Sequence, residues 1–194
     1  MYRGRFILEY QIDVSKEGKL INYSNRGMSF ENEINKTNEY YLNNDLAVIH
    51  KKPTPIKIVK MSKDNKKIIL AFFSKHSTTD YNGIYKGYYI DFEAKSTNSK
   101  TSFKIDNFQP CQLEHFKKVI KQEGIAFTLI EFNRLQECYL LLAKDMFDYL
   151  NCNDRKSVPL KYIREKGYKI KRGLNPPLNY LPIVDEIISY NRYK

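Results

Sequence analysis

The chain has 194 residues, enough for one domain with a real core and too few for two independent ones. Hydrophobic residues at 42% and charged residues at 28% exclude a disordered chain and describe a globular one. Thirty-three Lys and Arg against 22 Asp and Glu leave a net charge of +11, which favours a polyanionic partner, nucleic acid first, although part of the Lys excess goes with a general Asn-, Lys-, Ile- and Tyr-rich usage that says nothing of function.

Residues 1–22 are weakly patterned and read as an N-terminal arm, leaving 23–194 as a single domain. After Ser24-Asn25-Arg26-Gly27, Ser29 offers an N-cap, Glu31 and Glu33 occupy the first turn, and Phe30, Ile34, Thr37 and Tyr41 recur at helical spacing. Leu46-Ala47-Val48-Ile49-His50 is a short apolar run ended by Pro53, as in a buried strand. Two β-rich arms within 54–74 flank a polar, basic tip from Ser62 to Lys67 and predict a projecting hairpin. Asn82-Gly83 is a strong turn dipeptide and 84–95 a strand after it. Pro110 suits the first turn of a helix striped by Leu113, Phe116 and Ile120, and Gly124 supplies its stop.

Buried strands are predicted over 125–132 and 137–143, then a short helix over 144–149. A basic loop region follows, holding Arg155, Lys156, Lys161, Arg164, Lys166, Lys169, Lys171 and Arg172. Pro182 with Ile183, Val184, Ile187 and Ile188 suggests a closing helix. This order predicts an α/β fold with a central mixed sheet flanked by helices.

Cys111, Cys138 and Cys152 are odd in number and lack C-x-x-C spacing, so neither a disulfide framework nor a zinc ribbon is indicated. No apolar run approaches ~20 residues, and Arg3, Arg5 and Glu9 interrupt the apolar residues of the first segment, so cytoplasmic residence away from membranes is expected.

Alternation in Tyr89-Ile90-Asp91-Phe92-Glu93-Ala94-Lys95 puts Tyr89, Asp91, Glu93 and Lys95 on one face. A carboxylate and an ammonium two residues apart suit phosphodiester hydrolysis, where oxygen ligands hold a divalent cation and a cation offsets charge on the phosphate. Glu-x-Lys alone is more often a solvated strand face. The upstream turn changes the odds, because Asp80 can then meet Glu93 at one metal, whereas alone it would read as an Asx-turn residue. His50, His76 and His115 lack metal-ligand spacing, which disfavours zinc; hard oxygen ligands point to Mg²⁺.

Several runs in order resemble the RecU family of Holliday-junction resolvases: Tyr23-Ser24-Asn25-Arg26-Gly27-Met28, Val48-Ile49-His50-Lys51-Lys52-Pro53-Thr54-Pro55, Ser77-Thr78-Thr79-Asp80-Tyr81-Asn82-Gly83-Ile84-Tyr85-Lys86-Gly87, Ile90-Asp91-Phe92-Glu93-Ala94-Lys95, Lys100-Thr101-Ser102-Phe103 and Asn107-Phe108. A looser match runs through 176–187, so the resemblance covers most of the chain. It implies a restriction-endonuclease-like core of the PD-(D/E)xK type with a hairpin stalk. It also implies a homodimer, and paired nicking of four-way junctions in recombination and repair that depends on Mg²⁺, or on Mn²⁺, and leaves 5′-phosphate and 3′-hydroxyl ends.

Carried over by position, Thr78, Asp80, Glu93 and Gln112 bind or organise the metal, Lys95 stabilises the transition state, and Glu31 resembles the N-terminal helix acid of related nucleases. Arg26 and the hairpin lysines Lys57, Lys63, Lys66 and Lys67 would meet DNA, and a recombinase is a further partner such a protein could have. Cys111, where the family often has His, and the segment before Tyr23 depart from the pattern. Competing readings are a flap or duplex nuclease of the same fold and a non-catalytic DNA-binding scaffold.

Overall fold

The structure, a computed structural model, describes residues 24–73, 78–153 and 155–192. The 1–22 arm, Ser77 and His76 lie outside the described residues. Helix α1 (Ser24–Asn43) buries Phe30, Ile34, Thr37 and Tyr41 on one face, as their spacing predicts. It begins at Ser24 rather than capping at Ser29, so Gly27 lies inside it, at a cost of about 1 kcal/mol that a long, well-packed helix tolerates.

Strand β1 (Val48–Lys51) is not the buried strand expected: it is a sheet edge on which Ile49 alone turns inward against α1, while Val48, His50 and Lys51 face water. Among the described residues, strands β2 (Ile56–Met61) and β3 (Ile68–Phe73) pair only with each other, as a hairpin outside the main sheet. Its tip is pinned by hydrogen bonds from Ser62 N to Lys67 O and from Asn65 N to Ser62 O, and by the Asp64 carboxylate accepting from Ser62 Oγ and Lys66 N.

Strand β4 (Tyr81–Tyr85) runs through Asn82-Gly83, which is therefore not the turn the dipeptide suggests. The chain reverses at Lys86 and Gly87, both at positive φ, into β5 (Tyr88–Thr97). Glycine stands at 83 because of close packing: a Cβ there would sit 2.0 Å from the Val48 carbonyl oxygen of β1.

Strand β6 (Ser102–Lys104) and a short 3-10 turn (Ile105–Asn107) lead into α2 (Pro110–Lys121), with Pro110 in its first turn as predicted. Strands β7 (Ile125–Phe132) and β8 (Glu137–Leu142) follow, then α3 (Ala143–Asn153), longer than the helix expected. The basic region is not a loop. It contains β9 (Ser157–Pro159), α4 (Leu160–Lys166) and β10 (Tyr168–Ile170), whose few inward apolar side chains, Val158, Leu160, Ile163 and Ile170, alternate with lysines and arginines in elements too short to show a period. Helix α5 (Leu181–Arg192) closes the chain. Among the described residues no helix is long and apolar enough to cross a membrane.

The main sheet is mixed, in the order β1-β4-β5-β7-β8-β10, with β5 and β7 parallel and the other neighbours antiparallel. Helices α1 and α5 cover one face, where Tyr81, Phe92 and Phe127 stack with ring centroids 4.8 Å apart at each step. Helices α2, α3 and α4 cover the other through Phe116, Met146 and Ile163. This is the helix-flanked mixed sheet that the order of elements predicts, and it buries β5 on both faces.

Gly83→Ala is expected to separate β1 from β4. The loss should reach or pass the upper end of the about 1–3 kcal/mol typical of overpacking. Chemical denaturation measures it, and faster amide exchange at 48–51 would identify β1 as the strand released.

Candidate active site

Asp80 lies one step beyond the Tyr81–Phe92 pair of the β4–β5 ladder, which sets it beside Glu93. Its backbone N–H donates to Glu93 Oε2 at 2.9 Å, and the Ala94 N–H donates to Asp80 Oδ2 at 3.2 Å. The two carboxylates are thus locked to each other's strand. Lys95 Nζ lies 2.6 Å from Glu93 Oε1, with its side chain partly exposed above the Phe108 ring.

Gln112 reaches the same carboxylate from the first turn of α2: its Nε2 donates to Glu93 Oε1 at 2.6 Å while its Oε1 accepts the Gln109 N–H at 2.9 Å, capping the helix. Turning the amide over would set oxygen against oxygen and NH₂ against N–H, so both contacts fix its orientation. The Gln112 oxygen serves the cap, and the residue meets the site through its amide nitrogen.

Glu93 is fully buried, and burial is the first reason its carboxyl rises from 4.5 to about 7; the neighbouring Asp80 charge raises it further and Lys95 opposes the rise. Two carboxylates brought together under cover are better compensated by a divalent cation than by one ammonium. Thr128, in register with Glu93 on β7, adds a buried hydroxyl that has no partner among the described residues. No three of His, Cys, Asp and Glu form a metal cage among the described residues, so an ion here would rest on two carboxylates and neutral oxygens. That donor set fits Mg²⁺, which uses few protein carboxylates and keeps water or substrate oxygens.

Thr78 is exposed at the rim, its Oγ1 accepting from Lys52 Nζ at 3.3 Å. Glu31 is already engaged by Lys51, in an ion pair 2.5 Å long on the α1 side. Its charge, with those of Asp80 and Glu93, adds to burial in raising the Tyr81 phenol. Lys57, Lys63, Lys66 and Lys67 are exposed along the hairpin and its tip. Arg26 lies in the first turns of α1, with its side chain outside the described residues.

Sequence reasoning missed a second layer. Asp91, on the same face of β5 and fully buried, is surrounded by Lys52, Thr79, Tyr89 and His115. The alternation that singles out Glu93 also places Asp91 inward, so a signal for it was present; its partners come from other elements and leave no trace in local spacing.

The chain matches the family described as RecU: Recombination protein U over residues 25–186. It is similar to the Holliday junction resolvase RecU of Streptococcus thermophilus, 48% identical over 181 residues, 91% of each chain. The protein of the same name from Streptococcus agalactiae is 47% identical over 189 residues, 95% of this chain and 94% of the relative. That of Streptococcus pneumoniae is 51% identical over 169 residues, 85% of each. Among solved structures, the Holliday junction resolvase Hjc of Archaeoglobus fulgidus covers 73% of this chain and 94% of its own, with a TM-score of 0.42 and 9% identity.

A carboxyl raised from 4.5 to about 7 keeps a proton that the unfolded chain has released, so its contribution to folding is full below pH 4.5 and lost as pH rises through about 7. In EDTA, the unfolding free energy of the chain measured by urea is therefore expected to fall across that window relative to Glu93→Gln. Parallel pH profiles for the two proteins would contradict the assignment.

Proposed function

Since the chain belongs to the RecU family, we propose that it is a Holliday-junction resolvase: a divalent-cation-dependent endonuclease that makes paired nicks in a four-way junction during recombination and repair. The observation that carries this reading is the convergence of Asp80, Glu93 and Lys95 on one face of β5 within the matched residues. Asp80 and Glu93 hold the cation, Thr78 offers an oxygen at the rim, and Gln112 orients the Glu93 carboxylate. Bound here, Mg²⁺, or Mn²⁺ in its place, supplies Lewis-acid stabilisation of the phosphate and a lowered pKa for the attacking water.

Lys95 brings an ammonium to the mouth of the site, where it offsets negative charge gathering on the non-bridging phosphate oxygens. The lysines of the β2–β3 hairpin add affinity that is independent of DNA sequence, so selection for the junction comes from its shape. Two opposed cuts on a substrate of near-twofold symmetry need two equivalent sites, hence a twofold homodimer. Apolar side chains such as Ile58, Val59, Ile69 and Phe72, exposed on the hairpin of one chain, give a second copy area to cover.

The test is cleavage of a labelled four-way junction beside matched linear duplex and flap DNA, in Mg²⁺ or EDTA. Paired nicks confined to the junction and abolished by EDTA are expected. Asp80→Ala and Glu93→Ala should each lose more than the about 10–100-fold that follows loss of an outer-layer metal partner, with junction binding kept. Equal cutting of duplex would replace this reading with a general nuclease, and tight binding without cutting by the wild type would replace it with a scaffold.

A further inference from the structure

Asp91 stands two residues before Glu93, on the same side of β5, with no exposed surface. Its Oδ2 accepts from Lys52 Nζ at 2.7 Å and from the Tyr89 hydroxyl at 2.8 Å, and lies 3.0 Å from His115 Nε2. Its Oδ1 accepts from the Thr79 hydroxyl. A carboxylate only accepts, so His115 Nε2 carries the proton, and of the four donors three gather on Oδ2 and one on Oδ1. Asp91 is thus tied by four side chains of the chain itself.

The donors around Asp91 come from separate parts of the fold. Lys52 follows β1, Thr79 belongs to the irregular 78–80 segment, Tyr89 is on β5, and His115 is on α2 one turn beyond Gln112. Three of these parts are the ones that deliver Asp80, Glu93 and Gln112.

Lys52 adds a second grip. Its ammonium donates to Thr79 Oγ1 and, at 3.3 Å, to Thr78 Oγ1 as well as to Asp91, and its backbone N–H donates to the Asp80 carbonyl at 2.7 Å. One residue thus holds three consecutive residues, 78–80, that belong to neither helix nor strand. With three partners inside the chain the ammonium is saturated, and its side chain is only 15% exposed, unlike the hairpin lysines that face solvent.

We propose that Lys52 and Asp91 are a pair of positioning residues: they hold the 78–80 segment and α2 so that Asp80 and Gln112 converge on Glu93, and thereby set the affinity of the site for its divalent cation. The inference rests on reading Asp80 and Glu93 as the metal site. Asp80 and Glu93 repel each other, so in the metal-free protein something other than the ion has to hold the 78–80 segment against β5. The Lys52–Asp91 pair is placed to do so, acting through Thr79 on the residue next to Asp80.

Mn²⁺ binding to the DNA-free protein, followed by calorimetry, provides a readout separate from turnover. Junction binding in EDTA and the Mg²⁺ dependence of cleavage complete the set. The double variant Lys52→Met, Asp91→Asn removes both charges together and so leaves none buried alone. It should weaken Mn²⁺ binding about 10–100-fold and raise the Mg²⁺ needed for half-maximal cleavage by a similar factor. Cleavage should recover at high Mg²⁺, and junction affinity in EDTA should stay that of the wild type.

Thr79→Val keeps both charges and decides the matter if the double variant does not fold; it should shift Mn²⁺ binding in the same direction by a smaller factor. A folded variant with wild-type Mn²⁺ affinity overturns the proposal, as does a loss of junction affinity in EDTA with metal binding intact, which would make Lys52 a DNA contact. Glu93→Ala separates the two levels. If it loses Mn²⁺ while the Lys52 and Thr79 variants do not, positioning alone fails; if it binds Mn²⁺ like the wild type, the metal-site reading fails and takes the proposal with it.

Discussion

A carboxylate sealed under α2, on a strand covered on both faces, must be met by donors or give up its charge, and Glu93 is in that position. The Asp80 N–H, the Lys95 ammonium and the Gln112 amide all converge on its two oxygens, each from a different element or turn. Even so, burial and the Asp80 charge leave its carboxyl raised to about 7. The three donors thus leave the buried acid only partly compensated.

The two faces of β5 divide the work. Ile90 and Phe92 face α1 and α5, where the stack of Tyr81, Phe92 and Phe127 fixes β4, β5 and β7 laterally. Asp91, Glu93 and Lys95 face α2, so the acids inherit the rigidity of the aromatic layer behind them. A shift of β5 by one residue would exchange the faces, placing carboxylates in the apolar layer, which makes the register and the chemistry a single property. Asp91 and Lys52 belong to the same logic: the charge pair is buried because it joins elements that the sheet hydrogen bonds do not connect.

Away from the sheet, the β2–β3 hairpin obeys a different rule. It shares no strand pairing with the main sheet, exposes apolar side chains along its length and carries lysines at its tip. An isolated two-stranded ribbon is marginal in water. The main domain presents the opposite arrangement, a core closed on both faces with its acids in the middle of β5. The exposed lysines of the hairpin and the clustered acids of β5 are thus carried by separate parts of one chain.

Much of this was legible in the linear order of residues. Period-two alternation placed Asp91, Glu93 and Lys95 together, helical spacing found the buried face of α1, and Pro110 marked the start of α2, because these signals depend only on near neighbours; the helix ends at Lys121, with Glu123 and not Gly124 in the left-handed conformation. Asn82-Gly83 misled, since glycine at 83 answers to the Val48 carbonyl of another strand and not to a turn. The elements within 157–170 were hidden because three- to seven-residue elements with basic outer faces have too few apolar positions to show a period.

By itself, then, the sequence determined the type of fold, the face of β5 that bears the acids, and family membership through motifs in order. Tertiary structure alone decided that Lys52, Thr79 and His115 gather on Asp91, that the Gln112 oxygen is used by a helix cap, and that Glu31 is held by Lys51. Those contacts join residues from separate elements, and local propensity contains no information about which distant donor a buried oxygen will meet.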